Sequence, residues 1–174
     1  MTSLLLVQDE LATTLGAVDP TRIDAVLALL ADRDRRWFAS GQGRSRLVAC
    51  MAAMRLMHLG HPTYMVGETT APSIQAGDGL LMLSASGETP VSLHLARRAA
   101  DAGATILAVT TREDSTLAGL ADMIIAVPVK TSQQFGGSLF EQAALLLLDS
   151  LILDLTRDDP SAYQSMQHRH TNLE

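Results

Sequence analysis

Three hydroxyl side chains occur within six residues, where a predicted strand passes into a predicted helix. This stretch follows the short apolar run 79–83 and reads Ser84-Ala85-Ser86-Gly87-Glu88-Thr89. A loop at such a junction directs backbone N–H groups and the positive end of the helix dipole toward the space above the sheet. Hydroxyl groups beside those amides add further donors, and a phosphate accepts them well. The loop therefore predicts binding of a phosphorylated small molecule, with Ser84, Ser86 and Thr89 as side-chain ligands.

A second loop with binding chemistry lies earlier in the chain, after the predicted strand 36–40. It reads Gly41-Gln42-Gly43-Arg44-Ser45. Glycine lets the backbone approach a ligand closely, while the arginine and the serine supply a charge and a hydroxyl. We assign Ser40, Gly43, Arg44 and Ser45 to the phosphate pocket, although a tight strand-to-helix turn would use the same glycines. The third glycine of a dinucleotide fingerprint and a P-loop are both missing, so neither NAD nor ATP is favoured.

The elements around these loops alternate between strand and helix. Short apolar runs bounded by turn residues predict strands at 36–40, 63–66, 79–83, 104–110 and 123–127, and the segments between and around them suit helices or loops. Strands separated by helix-length segments pair in parallel through right-handed crossovers. The predicted fold is a three-layer α/β/α sandwich with a five-stranded parallel sheet, of flavodoxin-like type. Ligands of such sheets bind beyond the carboxyl ends of the strands, where both loops should meet.

The composition limits the classes of protein that remain. The chain has 174 residues, a net charge of -6 and one cysteine. Nucleic-acid binding needs a concentrated basic surface, so the acidic balance argues against it. A single cysteine, Cys50, rules out an intramolecular disulfide and a cysteine-based zinc site. The N-terminus lacks the basic region of a signal peptide, and the longest apolar stretch, 143–148, is too short to span a bilayer. We therefore expect a cytoplasmic protein with no membrane or nucleic-acid partner.

The two loops together resemble the SIS (sugar isomerase) domain, and further motifs narrow the resemblance to the 6-phospho-3-hexuloisomerase family. These motifs lie in order along nearly the whole chain, at 41–45, 54–60, 66–70, 86–89, 139–141 and 169–174. Single SIS motifs are shared by many relatives. The arginine-methionine-histidine helix at 54–60, the glutamate-threonine loop at 67–70 and the terminal segment from Arg169 are more specific in combination.

The resemblance implies a reaction in which 3-hexulose 6-phosphate becomes fructose 6-phosphate, after aldolase-type fixation of formaldehyde in the ribulose monophosphate pathway. Moving the carbonyl from C3 to C2 through an enediol needs a base and donors to the carbonyl oxygens, but no metal or organic cofactor. The resemblance makes Glu141 the base, although from its position alone it could equally be a first-turn glutamate favoured by the helix dipole. His170 is the candidate second acid or base. It lies in a polar tail, which must then fold over a pocket, either its own or that of a neighbouring subunit.

Two other glutamates accompany the predicted pocket. Glu68 and Thr69 are candidate sugar contacts, although Glu68 could equally stabilise a turn. Glu88 would repel phosphate if it pointed inward, so we expect it to face solvent or Arg44. The chain departs from the family pattern at Gln42, at Ala85 and over 133–138, which puts substrate preference and rate in question more than the fold.

The expected organisation is one SIS domain over residues 1–174. N-terminal helices would occupy 1–34, the α/β core 35–157, and a C-terminal tail over the active site 158–174. The predicted helix after loop 41–45 is apolar around much of its circumference, which suits a subunit interface. We expect a homo-oligomer, with a tetramer as the expected state, acting on a sugar phosphate. The alternatives are another SIS aldose–ketose phosphate isomerase and a sugar-phosphate sensor without catalysis.

Overall fold

A computed structural model describes residues 2–173 as a parallel sheet of five strands with helices around it. The strands are β1 (Trp37–Gly41), β2 (Thr63–Met65), β3 (Gly79–Leu83), β4 (Thr105–Thr110) and β5 (Met123–Ala126), in the spatial order β2-β1-β3-β4-β5. All four neighbouring pairs are parallel. The predicted fold class is therefore confirmed, and each predicted strand lies within a residue or two of its observed bounds.

Helices cover both faces of the sheet. They are α1 (Ser3–Gly16), α2 (Pro20–Leu30), α3 (Arg44–Leu59), α4 (Pro90–Asp101), α5 (Thr116–Leu120), α6 (Ser138–Asp154) and α7 (Ala162–Arg169). Side chains of α2, α3 and α6 share one core with the sheet, and those of α4 and α5 share the other. Within residues 2–173, no helix combines the length and the apolar character needed to cross a membrane.

Strand β3 explains why the sheet is buried on both faces. Its residues are all buried: Leu81 and Leu83 contribute to the core beneath α3 and α6, and Leu80 and Met82 to the core beneath α4. Successive side chains of a strand point to opposite faces, so a strand covered on both sides reads as a continuous apolar run. At its start, a Cβ on Gly79 would lie 2.6 Å from the ring of Trp37, so only glycine lets the indole pack there.

The strand order creates a crevice between β1 and β3. The chain leaves β1 toward β2 on one side and returns to β3 on the other, which is the topological switch point of an open α/β sheet. In the register of these two strands Gly41 lies opposite Leu83. The loops 41–45 and 84–89 therefore leave adjacent strands at the same edge, as predicted.

The C-terminal segment contains a helix that the sequence did not predict. We expected only a polar tail, but residues 162–169 form α7, which packs against α3. Arg169 links it to α3 by donating to the carbonyl of His58 at 3.4 Å, and a bond to the hydroxyl of Ser165 at 2.8 Å within α7 orients the arginine. The helix has only Ala162 buried, so its own pattern is too weakly amphipathic to indicate a helix, and docking on α3 stabilises it.

Candidate functional site

Hydrogen bonds from the end of β4 and from α5 fix the loop 84–89 in place. The carbonyl of Ala85 accepts hydrogen bonds from the backbone N–H of Thr111 at 3.0 Å and from its hydroxyl at 2.8 Å. The carbonyl of Gly87 accepts from the N–H of Leu117 at 3.0 Å. Within residues 2–173, by contrast, the N–H groups of Ala85, Ser86 and Thr89 donate to no acceptor. Three unpaired amides, in a loop where the carbonyls of Ala85 and Gly87 are already hydrogen-bonded, suit an anion.

Gly87 gives this loop its shape. Its φ is +65°, in the left-handed region that glycine tolerates best. A Cβ at this position would lie 2.1 Å from the hydroxyl oxygen of Ser115 and 3.2 Å from that of Thr110. The loop therefore packs so closely on Ser115, which caps α5, and on the end of β4 that any side chain would push it away.

Glu88 faces solvent, which is one of the two orientations that we expected. Its carboxylate is exposed and accepts a hydrogen bond from the N–H of Thr116 at 2.7 Å, at the start of α5, rather than facing Arg44. This backbone hydrogen bond favours the charged form and holds the pKa of Glu88 below its ordinary value. The stabilisation from this hydrogen bond is therefore fully present above the ordinary glutamate pKa. It is lost as the pH falls through the lowered pKa of Glu88.

The loop 41–45 forms the other wall of the crevice. A Cβ on Gly41 would lie 2.7 Å from the backbone of Ser45, so the turn into α3 requires glycine there. Gly43 has a φ of +57° and no neighbour where a Cβ would stand. Ser40 and Ser45 are buried at the strand end and in the first helical turn, and Arg44 is exposed.

Glu141 lies in the first turn of α6, and its carboxylate forms an ion pair with the guanidinium of Arg44. The Glu141 side chain is 12% exposed, whereas that of Arg44 is 63% exposed. The glutamate is thus shielded and fixed at the helix start, while the arginine reaches it from solvent. The pair joins α6 to the loop 41–45, and so brings the predicted base to the predicted phosphate pocket.

The loop that carries Glu68 and Thr69 is hydrogen-bonded to the first turn of α3. Arg46 donates to the carbonyl of Val66 at 2.9 Å and to the carboxylate of Glu68 at 3.0 Å. Arg46, which the sequence pattern did not place in the site, therefore positions Glu68 beside loop 41–45. Thr69 is exposed and makes no side-chain hydrogen bond within the described part of the chain.

His170 is not brought to the other predicted site residues within this chain. Its ring stacks on that of His58 with centroids 5.2 Å apart. His58 lies fourteen residues after Arg44 along α3, which corresponds to about 20 Å of helix rise. Burial, more than the neighbouring charges of Arg55 and His170, lowers the pKa of His58 below its ordinary value. The tail therefore lies at the amino-end side of the sheet, away from the crevice of its own chain.

The chain belongs to the SIS domain family, whose model matches residues 29–153. Curated relatives narrow the class further, to proteins named 3-hexulose-6-phosphate isomerase. The one from Mycobacterium gastri is 44% identical, and the match covers 99% of this chain and 90% of that relative. The one from Bacillus subtilis is 37% identical over 79% of each chain. The resemblance inferred from the motifs is thereby confirmed.

Solved structures agree with this grouping. The crystal structure of a Methanococcus jannaschii protein superposes with a TM-score of 0.88 at 30% identity. From that structure, a molecular function of 3-hexulose-6-phosphate isomerase was inferred for the Methanococcus protein. That match covers the whole of both chains. Vibrio vulnificus NanR complexed with ManNAc-6P matches with a TM-score of 0.78 at 23% identity over 95% of this chain and 65% of its own. At this identity, the match to NanR shows a shared fold and nothing more.

Proposed function

We propose that this chain converts D-arabino-hex-3-ulose 6-phosphate to D-fructose 6-phosphate through an enediol, within formaldehyde fixation by the ribulose monophosphate pathway. One observation carries the proposal. A shielded carboxylate, Glu141, is ion-paired to Arg44 at the carboxyl-end crevice, whose other wall is loop 84–89 with its three unpaired amides. The curated relatives named 3-hexulose-6-phosphate isomerase support the choice of substrate.

Binding begins with the phosphate at loop 84–89. The amides of Ala85, Ser86 and Thr89 donate to it, together with the hydroxyls of Ser84, Ser86 and Thr89, and the start of α4 adds the positive end of its dipole. Ser40, Gly43 and Ser45 close the pocket from the β1 side. This remote contact holds the sugar carbons against Glu141, so that its binding energy orients the reacting bond.

Glu141 then moves the proton. Its carboxylate removes the proton from C2, the electrons form the C2–C3 double bond, and the oxygen on C3 takes up a proton to give the enediol. Return of a proton to C3, with loss of the proton from the C2 hydroxyl, leaves the carbonyl at C2. A donor is needed at the carbonyl oxygen, and we assign that role to His170. Glu68 and Thr69 contact the sugar hydroxyls.

Arg44 links phosphate binding to the base. Its guanidinium forms an ion pair with the carboxylate of Glu141, so the base is engaged until Arg44 finds another partner. An incoming phosphate is a competing partner for an exposed guanidinium, and arginine binds phosphate well. Transfer of Arg44 to the substrate frees Glu141 at the moment when a proton is there to be removed.

The substrate assignment is tested by offering the purified chain several phosphates. We expect fructose 6-phosphate from enzymatically generated 3-hexulose 6-phosphate, and no interconversion of arabinose 5-phosphate with ribulose 5-phosphate. Turnover of the pentose phosphates instead would favour another SIS aldose–ketose isomerase. Tight binding of a sugar phosphate without turnover of any would favour a sensor.

The position of His170 requires an oligomer if this residue acts in the reaction. Exposed apolar side chains run along the outer faces of α3 and α6, where a monomer would leave them in water: Leu47, Met51, Met54, Leu146 and Leu153. Several exposed large apolar side chains on neighbouring helices are typical of an interface. We propose a homotetramer in which the tail 158–174 of one subunit covers the crevice of another. We place the reaction in the cytoplasm, because charged sugar phosphates do not cross a bilayer unaided.

Mixing two inactive variants tests this arrangement. We expect Glu141→Gln and His170→Ala each to lose turnover. A mixture of the two, unfolded and refolded together, should regain about a quarter of wild-type activity. Random assembly of a symmetric oligomer leaves one site in four with both residues intact. No recovery would assign His170 to its own chain. A fully active His170→Ala variant, or a monomer by light scattering, would contradict the proposal.

A further inference from the structure

Glu10 makes a dense set of contacts outside the crevice. It lies on α1 and reaches the segment between β5 and α6. One carboxylate oxygen accepts from the backbone N–H of Gln133 at 2.7 Å. The other accepts from the hydroxyl of Ser132 at 2.8 Å and from the side-chain amide of Gln134 at 2.9 Å. Three donors from consecutive residues converge on one carboxylate, which therefore clamps this segment to α1.

The clamped segment leads directly to Glu141. The hydroxyl of Ser138 donates to the carbonyl of Phe135 at 2.8 Å, which ties the segment to the first turn of α6. Between these residues, Gly136 has a φ of +59°. A Cβ on Gly137 would lie 3.4 Å from a carboxylate oxygen of Glu141, so the backbone here passes close to the carboxylate. The segment therefore helps to shield Glu141 from solvent.

The tip of this segment is open to solvent. Gln133, Phe135, Gly136 and Gly137 are exposed, and Phe135 is 95% exposed. Helix α1, which supplies the clamp, lies outside the part of the chain that the SIS family model matches. The same hydrogen bonds, above all that from the N–H of Gln133, hold the pKa of Glu10 below its ordinary value, which keeps the clamp charged.

We propose that Glu10 is a positioning residue for the isomerase reaction: by fixing residues 132–134 it holds Glu141 in its reactive orientation. This inference rests on the proposed role of Glu141 as the base. The phosphate loop is held separately, by β4 and α5. Loss of the clamp should therefore lower kcat and leave substrate binding nearly unchanged, because the misplacement affects the transition state more than the bound ground state.

The test compares Glu10→Ala with Asp9→Ala. Asp9 is the adjacent acidic residue of α1 and, like Glu10, faces the cavity between α1 and residues 128–133, but it makes no hydrogen bond to the segment within the described residues. We expect Glu10→Ala to lower kcat roughly tenfold with KM within about twofold, and Asp9→Ala to leave both unchanged. Glu10→Gln keeps an acceptor for the N–H of Gln133 and should restore part of kcat. Equal kcat in Glu10→Ala and the wild type would overturn the proposal.

Hydrogen–deuterium exchange separates this inference from the reaction itself. Peptides covering 132–141 should exchange faster in Glu10→Ala than in the wild type, while peptides of β3 and loop 84–89 should not change. Unchanged exchange over 132–141 would contradict the clamp, whatever the substrate. Wild-type protein that fails to isomerise any sugar phosphate, together with faster exchange in the variant, would refute the proposed function but keep the clamp.

Discussion

Glu141→Gln is expected to lower kcat by about 10²- to 10⁴-fold, the range that a positioned general base contributes. The amide has nearly the same volume as the carboxylate and still accepts a hydrogen bond from Arg44, but it cannot take the proton from C2. The phosphate loop is untouched, so binding of a phosphate-containing ligand should remain. The measurement is fructose 6-phosphate formation from 3-hexulose 6-phosphate, with ligand affinity determined by calorimetry.

The stability of the variant provides the control for this result. The Arg44 side chain is largely exposed, and ion pairs with an exposed partner contribute little, so the free energy of unfolding should change by less than about 1 kcal/mol. A well-folded Glu141→Gln variant with wild-type kcat would show that the base lies elsewhere. A variant that loses ligand binding together with kcat would instead make Glu141 a binding residue.

Gly87→Ala is expected to destabilise the fold and to abolish phosphate binding. The left-handed backbone costs an alanine about 1 to 2 kcal/mol, and the clash with Ser115 adds about 1 to 3 kcal/mol, as overpacking does. The loop relieves the clash by moving away from Ser115 at the start of α5, which misdirects the amides of Ser86 and Thr89. Chemical denaturation and calorimetry with a sugar phosphate measure the two effects.

Gly77→Ala is the matched control for backbone strain. Gly77 has a φ of +87°, lies outside the crevice, and has no atom within 4 Å of the point where a Cβ would stand. We expect only the strain cost of about 1 to 2 kcal/mol there, with ligand affinity unchanged. If Gly87→Ala binds the phosphate ligand as tightly as Gly77→Ala does, loop 84–89 is not the phosphate site.

The sequence predicted the parts of the fold that local pattern determines. The apolar run of β3 between turn residues indicated a strand buried on both faces, and the glycines and hydroxyls after β1 and β3 indicated loops at one edge of a parallel sheet. These features depend on residues close together in the chain. The same logic placed Glu141 near the crevice, since α6 had to begin at that edge.

The contacts that arrange the site could not be predicted from local pattern, because they join residues far apart in the sequence. Arg44 meets Glu141 across 97 positions, and Glu10 meets Gln133 across 123. Glu88 pairs with the start of α5 rather than with Arg44 because a backbone N–H was left unsatisfied there. The docking of α7 on α3, which separates His170 from its own crevice, likewise depends on tertiary contact.

Proton exchange on fructose 6-phosphate in D₂O shows whether this chain moves a carbonyl between C3 and C2. Removal of the C3 proton starts the reverse reaction through the 2,3-enediol, so NMR should record deuterium entering at C3 with the wild type and not with Glu141→Gln. Deuterium entering at C1 would indicate a 1,2-enediol and an aldose–ketose isomerase. No exchange at either carbon, with a well-folded protein that binds the sugar phosphate, would contradict isomerisation altogether.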